Sequence, residues 1–403
     1  MTFREIHPAA WLPSLHFAKG VAYVMVMVIS LLMFRQSGID NLQIALCVST
    51  FYLPWVTKFL WRRWVDNTMN YSYWVLLTEL LLSATFIALA FWPTPVWTAV
   101  LELTVVAWLT AVHNVAADAL SRQREASPHR SVTIELSRKF AVVVGQGVLV
   151  MLAGNLQLLY RGHPYYSWCV MFYIVAGIYL VLFFWHIFTL PQSSRSGGNF
   201  SRSQGSVCYQ GSFHLGWRAV VFLFFYPFFV GMQSKIGILF LIDVPSNEGL
   251  GLSPQEFALV MGTVGIISLT AGTLQGRRFI VHNGFRRSLP LMSACMLVPC
   301  ICYAGLAYWE PGNLTIVSLV VAVEQLSYGF GFAAYLFFLH QIADRELGKS
   351  IMALSLMLSL VLGGLLQTVL GYYYFFLVAV VASLMMFWAT WINRNFKREG
   401  VSK

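Results

Sequence analysis

Residues 38–67 read GIDNLQIALCVSTFYLPWVTKFLWRRWVDN, and residues 251–283 read GLSPQEFALVMGTVGIISLTAGTLQGRRFIVHN. Gly38-Ile39-Asp40 followed by Ala45-Leu46 recurs as Gly251-Leu252-Ser253 followed by Ala258-Leu259, an offset of 213. Arg62-Arg63-Trp64 with Asp66-Asn67 recurs as Arg277-Arg278-Phe279 with His282-Asn283, at offsets of 215 and 216. In each copy an apolar run separates a glycine-led turn signal from a basic pair. One such match means little in a hydrophobic chain. Two at nearly one offset imply a parallel duplication.

The rest of the chain fits that unit. Of 403 residues, 58% are hydrophobic and 10% charged, with mean hydropathy +0.68, whereas a soluble domain carries about a quarter charged residues. The apolar residues fall in runs that match the ~30 Å hydrocarbon core when helical. Twelve such runs are expected, near Trp11–Phe34, Asn41–Trp61, Tyr71–Trp92, Val96–Leu120, Val132–Tyr160, Tyr165–Leu190, Trp217–Ile242, Pro254–Val281, Ser288–Tyr308, Leu314–Ala343, Ser350–Leu370 and Tyr372–Asn393. The first is full length and no small-residue cleavage site follows it, so it is expected to be retained as a span.

Charge orients the spans. One set of alternate connections, together with both tails, holds 19 of the 26 Lys and Arg residues, while the other set holds only Arg35 and Arg161. This places both termini in the cytoplasm. The net charge of +10 is dispersed in short clusters, not gathered on one basic face, which excludes a nucleic-acid surface. The six cysteines have neither zinc spacing nor the pattern of a disulfide framework, so no metal and no cofactor is expected. Pro191–Gly216 is rich in Ser, Gly and Gln and reads as a cytoplasmic linker between an N-terminal six-helix bundle, 1–190, and a C-terminal one, 217–403. An internally duplicated chain of this kind is expected to function as a monomer embedded in lipid.

This all-α layout of twelve transmembrane helices in two pseudo-symmetric bundles resembles the major facilitator superfamily of transporters. Three segments carry a finer resemblance. Lys58-Phe59-Leu60-Trp61 running to Asp66 is similar to the signature that AmpG-type muropeptide permeases carry before their first cytoplasmic loop. His113-Asn114-Val115-Ala116-Ala117-Asp118-Ala119 resembles that family's fourth-span motif, and Glu324-Gln325-Leu326 with Gly329, Gly331 and Ala333-Ala334 resembles its tenth-span motif. The resemblance implies import of peptidoglycan fragments built on N-acetylglucosamine and anhydro-N-acetylmuramic acid; eukaryotic acetyl-CoA transporters are related. The chain departs from the family at Asn114, where the motif has an aspartate, and at Phe225-Tyr226-Pro227-Phe228-Phe229, where a lysine and an acidic residue stand in the family. Asn114 cannot exchange a proton.

Ionisable residues inside the spans are the candidates for function, because each costs at least ~2.5 kcal/mol at a helix centre unless it meets a partner or an aqueous cavity. Lys19 and Lys235 lie on the first and seventh spans, which line the central cavity of the superfamily, and two ammonium groups there suit an anionic solute. Snorkelling, or pairing with a helix carboxylate, is the competing reading. Tyr23 and Tyr328, with Tyr226 and Tyr335, offer rings that stack on a sugar, and Asn114 and Gln325 offer amides to its hydroxyls. Glu324, Glu102 and Asp118 are the carboxylates expected to couple protons. Glu102 shares a helix face with His113, which reads as a hydrogen-bonded core histidine. Glu79 of the third span is a weaker candidate, since nothing in the sequence places it toward the cavity.

Asp66 with Lys58, Arg62 and Arg63 is assigned to gating, since the superfamily's aspartate at this place caps a helix and pairs with arginine. Glu135, Arg138 and Lys139 read as an intrahelical ion-pair cluster. Gly145-Gln146-Gly147 through Gly154 has the glycines of the superfamily's exchanger signature but no proline, which favours symport or uniport. Gly329 and Gly331 read as sites of bending or close packing. The expected function is therefore secondary active import of peptidoglycan-derived amino sugars or muropeptides across a bacterial inner membrane, by alternating access and with protons. Another acidic sugar, an organic anion or an acetyl-CoA-like solute is the alternative. A polytopic membrane enzyme is the alternative from another class, but no His-Asp acyltransferase pair sits in a plausible loop and no glycine-rich phosphate cradle is present.

Overall fold

Bilayer hydrocarbon offers backbone groups no hydrogen bonds, so each apolar run closes its own as a helix. The structure is a computed structural model that describes residues 10–91, 96–124, 140, 144–160, 164–191, 216–342 and 345–393. The expectations for Trp92, for Glu135, Arg138 and Lys139, and for most of the linker lie outside the described residues. In chain order the helices are α1 Leu12–Gln36, α2 Asn41–Val56 with Lys58–Thr68, and α3 Tyr71–Phe91. There follow α4 Val96–Arg124, α5 Val144–Leu149 with Val150–Leu159, α6 Pro164–Thr189 and α7 Trp217–Ile242. The last are α8 Pro254–Asn283, α9 Phe285–Trp309 and α10 Leu314–Gln341, then α11 at 345–370 and α12 at 372–393, which run together as one helical stretch except where Gly371 takes φ 75°.

Nine helices among the described residues are long and apolar enough to span a membrane, or ten when the two parts of α2, bent by 51°, count as one. The stretch Glu346–Ile392 is one of the nine and holds both of the last two runs, on either side of Gly371. The described part of α5 is shorter. Each of the twelve apolar runs thus meets a helix, and the chain is a multi-pass all-α membrane protein.

The repeat has a local structural cause. Gly38 and Gly251 both adopt positive φ, at 79° and 66°, a region that L side chains avoid. Two residues on, Asp40 accepts from the Gln43 amide at 2.7 Å, and Ser253 forms a capping box with Glu256. Each copy therefore spells a left-handed turn and then an N-cap, which satisfies the first amides of α2 and α8.

The described helices divide into two compact units, one of Met1–Val26, Thr57–Gly145 and Leu156–Leu215, the other of Met27–Val56, Gln146–Asn155 and Gly216–Lys403. The division falls at backbone irregularities. In α1 it lies within the π-helical turn Met25–Ile29, and in α2 at the bend before Lys58. Such turns interrupt the regular hydrogen-bond ladder and recur at functional sites. In unit 2, α8 and α10 approach through glycines: a Cβ on Gly329 would strike the Leu269 carbonyl, and one on Gly272 the Leu326 carbonyl. Close packing is thus the visible role of Gly329. A Cβ on Gly331 would lie 2.7 Å from the Met292 carbonyl oxygen of α9.

Candidate functional site

Unit 1 buries a chain of polar groups among α1, α3, α4 and α6. Lys19 of α1 forms an ion pair with Asp118 of α4, the pairing that competed with a substrate role for this lysine. Three residues before it, His16 meets the Ser121 hydroxyl at 3.2 Å. Glu79 of α3 is fully buried, and its Oε1 lies 2.7 Å from Nδ1 of His186 on α6. The other ring nitrogen of His186, Nε2, lies 2.8 Å from the Ser14 hydroxyl, which is itself 3.0 Å from the Trp11 carbonyl oxygen. His113 of α4 is 1% exposed, with Nε2 3.9 Å from Glu79 Oε1. Neither of its ring nitrogens has a hydrogen-bond partner, and neither does Glu79 Oε2. Glu79 thus faces inward, toward the histidines of two neighbouring helices. Asn114 Oδ1 and Glu102 Oε2 are likewise buried without hydrogen-bond partners, and Tyr23 is partly exposed.

In unit 2, Lys235 of α7 donates to the Met27 carbonyl at 3.0 Å. Gln325 donates to Glu324 at 2.8 Å, and Tyr328 stacks on Phe332 with ring centroids 5.3 Å apart. The hydroxyls of Tyr226 and Tyr335 are committed to carbonyls, of Gly331 at 2.9 Å and of Leu223 at 3.2 Å.

A second polar cluster of unit 2 gathers at the membrane end opposite the basic connections. Asp243, the residue after α7, is buried and forms an ion pair with Arg35 at the end of α1. It also accepts from the Tyr372 hydroxyl of α12 and from Asn41 Nδ2 at 3.2 Å. The Asn41 amide reaches Gln367 Oε1 of α11 at 3.1 Å and the Tyr372 hydroxyl at 2.8 Å. The backbone N–H of Tyr372 donates to Glu248 at 3.2 Å. Side chains of three elements, α1, α2 and α12, meet on the Asp243 carboxylate. Sequence reasoning passed over this group because each member lies at a helix end, where polar residues are ordinary.

At the basic end of unit 1, Asp66 accepts from the Tyr71 hydroxyl at 2.9 Å and pairs with Arg62 at 3.5 Å. Arg63 is exposed and Lys58 buried. The repeat counterpart of Asp66, His282, lines a shallow depression with Arg277, Arg278, Leu274 and Val281. Among the described residues no three His, Cys, Asp or Glu side chains are grouped so as to hold a metal ion.

Known proteins bear on these observations at two levels. The family model described as Major Facilitator Superfamily matches residues 14–355. The chain belongs to the major facilitator superfamily. It is therefore a secondary transporter of small solutes and not an enzyme. Among solved structures it resembles the nucleoside transporter NupG, with TM-score 0.72 at 14% identity over 97% of this chain and 100% of that one. It also resembles an inward-facing bacterial homolog of the human lysosomal transporter Spinster, with TM-score 0.69 at 14% identity over 97% and 98%. A third likeness is to the xylose transporter XylE from E. coli in an inward-open conformation, with TM-score 0.62 at 16% identity over 94% of each chain. At these identities the likeness is one of fold. No curated protein sequence matches the chain.

Proposed function

We propose that this major facilitator protein imports a peptidoglycan-derived amino sugar or muropeptide across a bacterial inner membrane, with both termini cytoplasmic, by proton-coupled alternating access. The observation that carries the reading is the Lys19–Asp118 ion pair with the unpartnered Asn114 Oδ1 one turn away on α4. A solute bearing a carboxylate, such as the lactyl ether of a muramic acid, competes with Asp118 for the Lys19 ammonium. The Asn114 amide oxygen accepts from a sugar hydroxyl or an acetamido N–H. Lys235, Tyr23, Tyr328 and Gln325 are the further substrate candidates, and Glu324, Glu102 and Asp118 the carboxylates proposed to exchange protons.

The AmpG-type resemblance of the segments around Lys58, Asn114 and Gln325 supports the substrate class. The name of one further structure of this fold, D-xylose-proton symporter, accords with a polar, hydroxyl-rich solute moved with protons. Asp66, with Arg62, Arg63 and Lys58, is proposed to gate the cytoplasmic end, and the Arg35–Asp243 cluster the opposite end. The same Lys19–Asp118 pair suits another acidic sugar or organic anion as the second reading.

The test is uptake of labelled N-acetylglucosaminyl-anhydro-N-acetylmuramic acid by cells lacking their own muropeptide permease, with and without a protonophore. Uptake that the protonophore abolishes is expected. No uptake, with membrane expression verified, overturns the muropeptide reading in favour of another organic anion.

A further inference from the structure

Hydrogen-bond chemistry limits how protons are distributed over Ser14, His186 and Glu79. A serine hydroxyl carries one proton, and Ser14 has two acceptors within reach, the Trp11 carbonyl oxygen at 3.0 Å and His186 Nε2 at 2.8 Å. When the hydroxyl points to Nε2, that nitrogen is bare. The imidazole proton then sits on Nδ1 and is donated to an ionised Glu79 at 2.7 Å. When the hydroxyl points to the Trp11 carbonyl, Nε2 carries a proton and donates it to Ser14 Oγ. The 2.7 Å contact between Nδ1 and Glu79 Oε1 then holds a second proton, on either partner. The two arrangements differ by one proton and by rotation of one hydroxyl. No heavy atom need move.

From this geometry we infer that Ser14, His186 and Glu79 form a proton-binding site inside unit 1, with His113 as the station from which the proton reaches it. The inference rests on the proton-coupled transport proposed above and adds a site to the carboxylates named there. Ser14 is partly exposed, whereas His186 and Glu79 are fully buried, so the proton leaves to the cytoplasm at the Ser14 end, where α1 begins and α6 finishes. Beyond Glu79 lies His113, whose two unpartnered nitrogens accept or release a proton without breaking an existing hydrogen bond.

Among the described residues, the titratable or charged groups facing this site are few. From α1 come His16 and Lys19, from α4 His113 and Asp118, and from α6 His186 and Tyr179, whose hydroxyl is held by the Ala18 carbonyl at 2.6 Å. His113 lies within the electrostatic reach of Lys19, Asp118, His186 and His16. A proton on His113 therefore alters the field at the Lys19–Asp118 pair, the place proposed for the solute's carboxylate. That relation gives the site a physical route to couple proton and solute.

The test uses the full-length protein in lipid and no transported solute, so a failure of the muropeptide uptake experiment leaves it intact. Infrared difference spectra are recorded as the pH is stepped from about 8 to about 5. The expected result is a carboxylic-acid carbonyl band, shifted in heavy water, that rises as the pH falls and is missing from Glu79→Gln. In His186→Gln, which keeps the carboxyl but removes its imidazole, the midpoint of that band is expected to move by about one pH unit or more, a tenfold change in proton affinity. This second variant decides the matter if Glu79→Gln does not fold. A band that persists in Glu79→Gln, a midpoint unmoved in His186→Gln, or no titrating band in the wild-type protein overturns the inference and leaves the cluster a structural contact among α1, α3 and α6.

Discussion

Two buried carboxylates, Glu79 in unit 1 and Asp243 in unit 2, are each surrounded by partners from several helices, yet the partners differ in kind. Asp243 is held by a guanidinium, Arg35, together with a phenol and an amide. Glu79 is held by imidazoles, with His186 in contact and His113 at 3.9 Å. Arginine keeps its proton under all physiological conditions, so the Asp243 cluster is a fixed ion pair that is either formed or broken as a whole. Histidine can carry a second proton or give it up, and the Glu79 cluster is the proton site proposed above. The first arrangement suits a latch and the second suits a coupling site. On the proposal made above, the base beside the acid distinguishes a fastener from a switch.

The comparison breaks most visibly at Asp243. Asp243→Asn leaves the partly exposed Arg35 without its buried counter-charge, at a cost of about 3 kcal/mol. Thermal unfolding of the purified protein is expected to show a marked fall in melting temperature at every pH; an unchanged melting temperature would mean that the ion pair carries no stability. Next in size is Glu79→Gln, which is expected to abolish concentrative uptake of the labelled disaccharide while exchange across the membrane remains measurable. Loss of both would assign Glu79 to folding or binding.

A sharper variant turns one cluster into the other. The Asp243 ion pair is made through Arg35 Nε, a reach that an imidazole approximates. Arg35→His should therefore make the latch pH-dependent. Its stability is present when the imidazole is charged and is lost as the pH rises from about 5 to about 8. Melting temperatures recorded across that range test this. Tyr372→Phe removes one hydroxyl from Asp243 and Asn41 and is expected to cost about 1–2 kcal/mol. Asp66→Asn, at an exposed pair with Arg62, is expected to change stability by less than about 1 kcal/mol, although the rate of transport falls if Asp66 gates.

The parts of this protein that were legible in the sequence are those whose causes are local. The turn at Gly38 and Gly251, the caps at Asp40 and Ser253, and the apolar length of each span are all written in a few neighbouring residues. The close packing at Gly329 was also within reach, because a glycine in a span has few other uses. For Lys19 the sequence leaves a substrate role, snorkelling and a helix carboxylate open, since cost arguments demand a partner without naming it. Glu79 and His186 could not be joined: 107 residues separate them, and periodicity fails where one helix face meets lipid and the other meets protein, both apolar. Applying the burial cost to the span histidines His16, His113 and His186 together would have drawn attention to unit 1. Asp243 was hidden differently, as a loop residue whose burial depends on Arg35, Asn41 and Tyr372.

The claim at the centre of this account is that a proton held by histidine-paired Glu79 drives accumulation of the solute. The most direct measurement is accumulation of the labelled disaccharide in liposomes carrying wild-type or Glu79→Gln protein, under an imposed pH gradient and at equal pH. The account predicts that wild-type liposomes concentrate the solute only under the gradient, and that Glu79→Gln liposomes equilibrate it without concentrating it in either condition. Accumulation by Glu79→Gln equal to that of the wild type would contradict it.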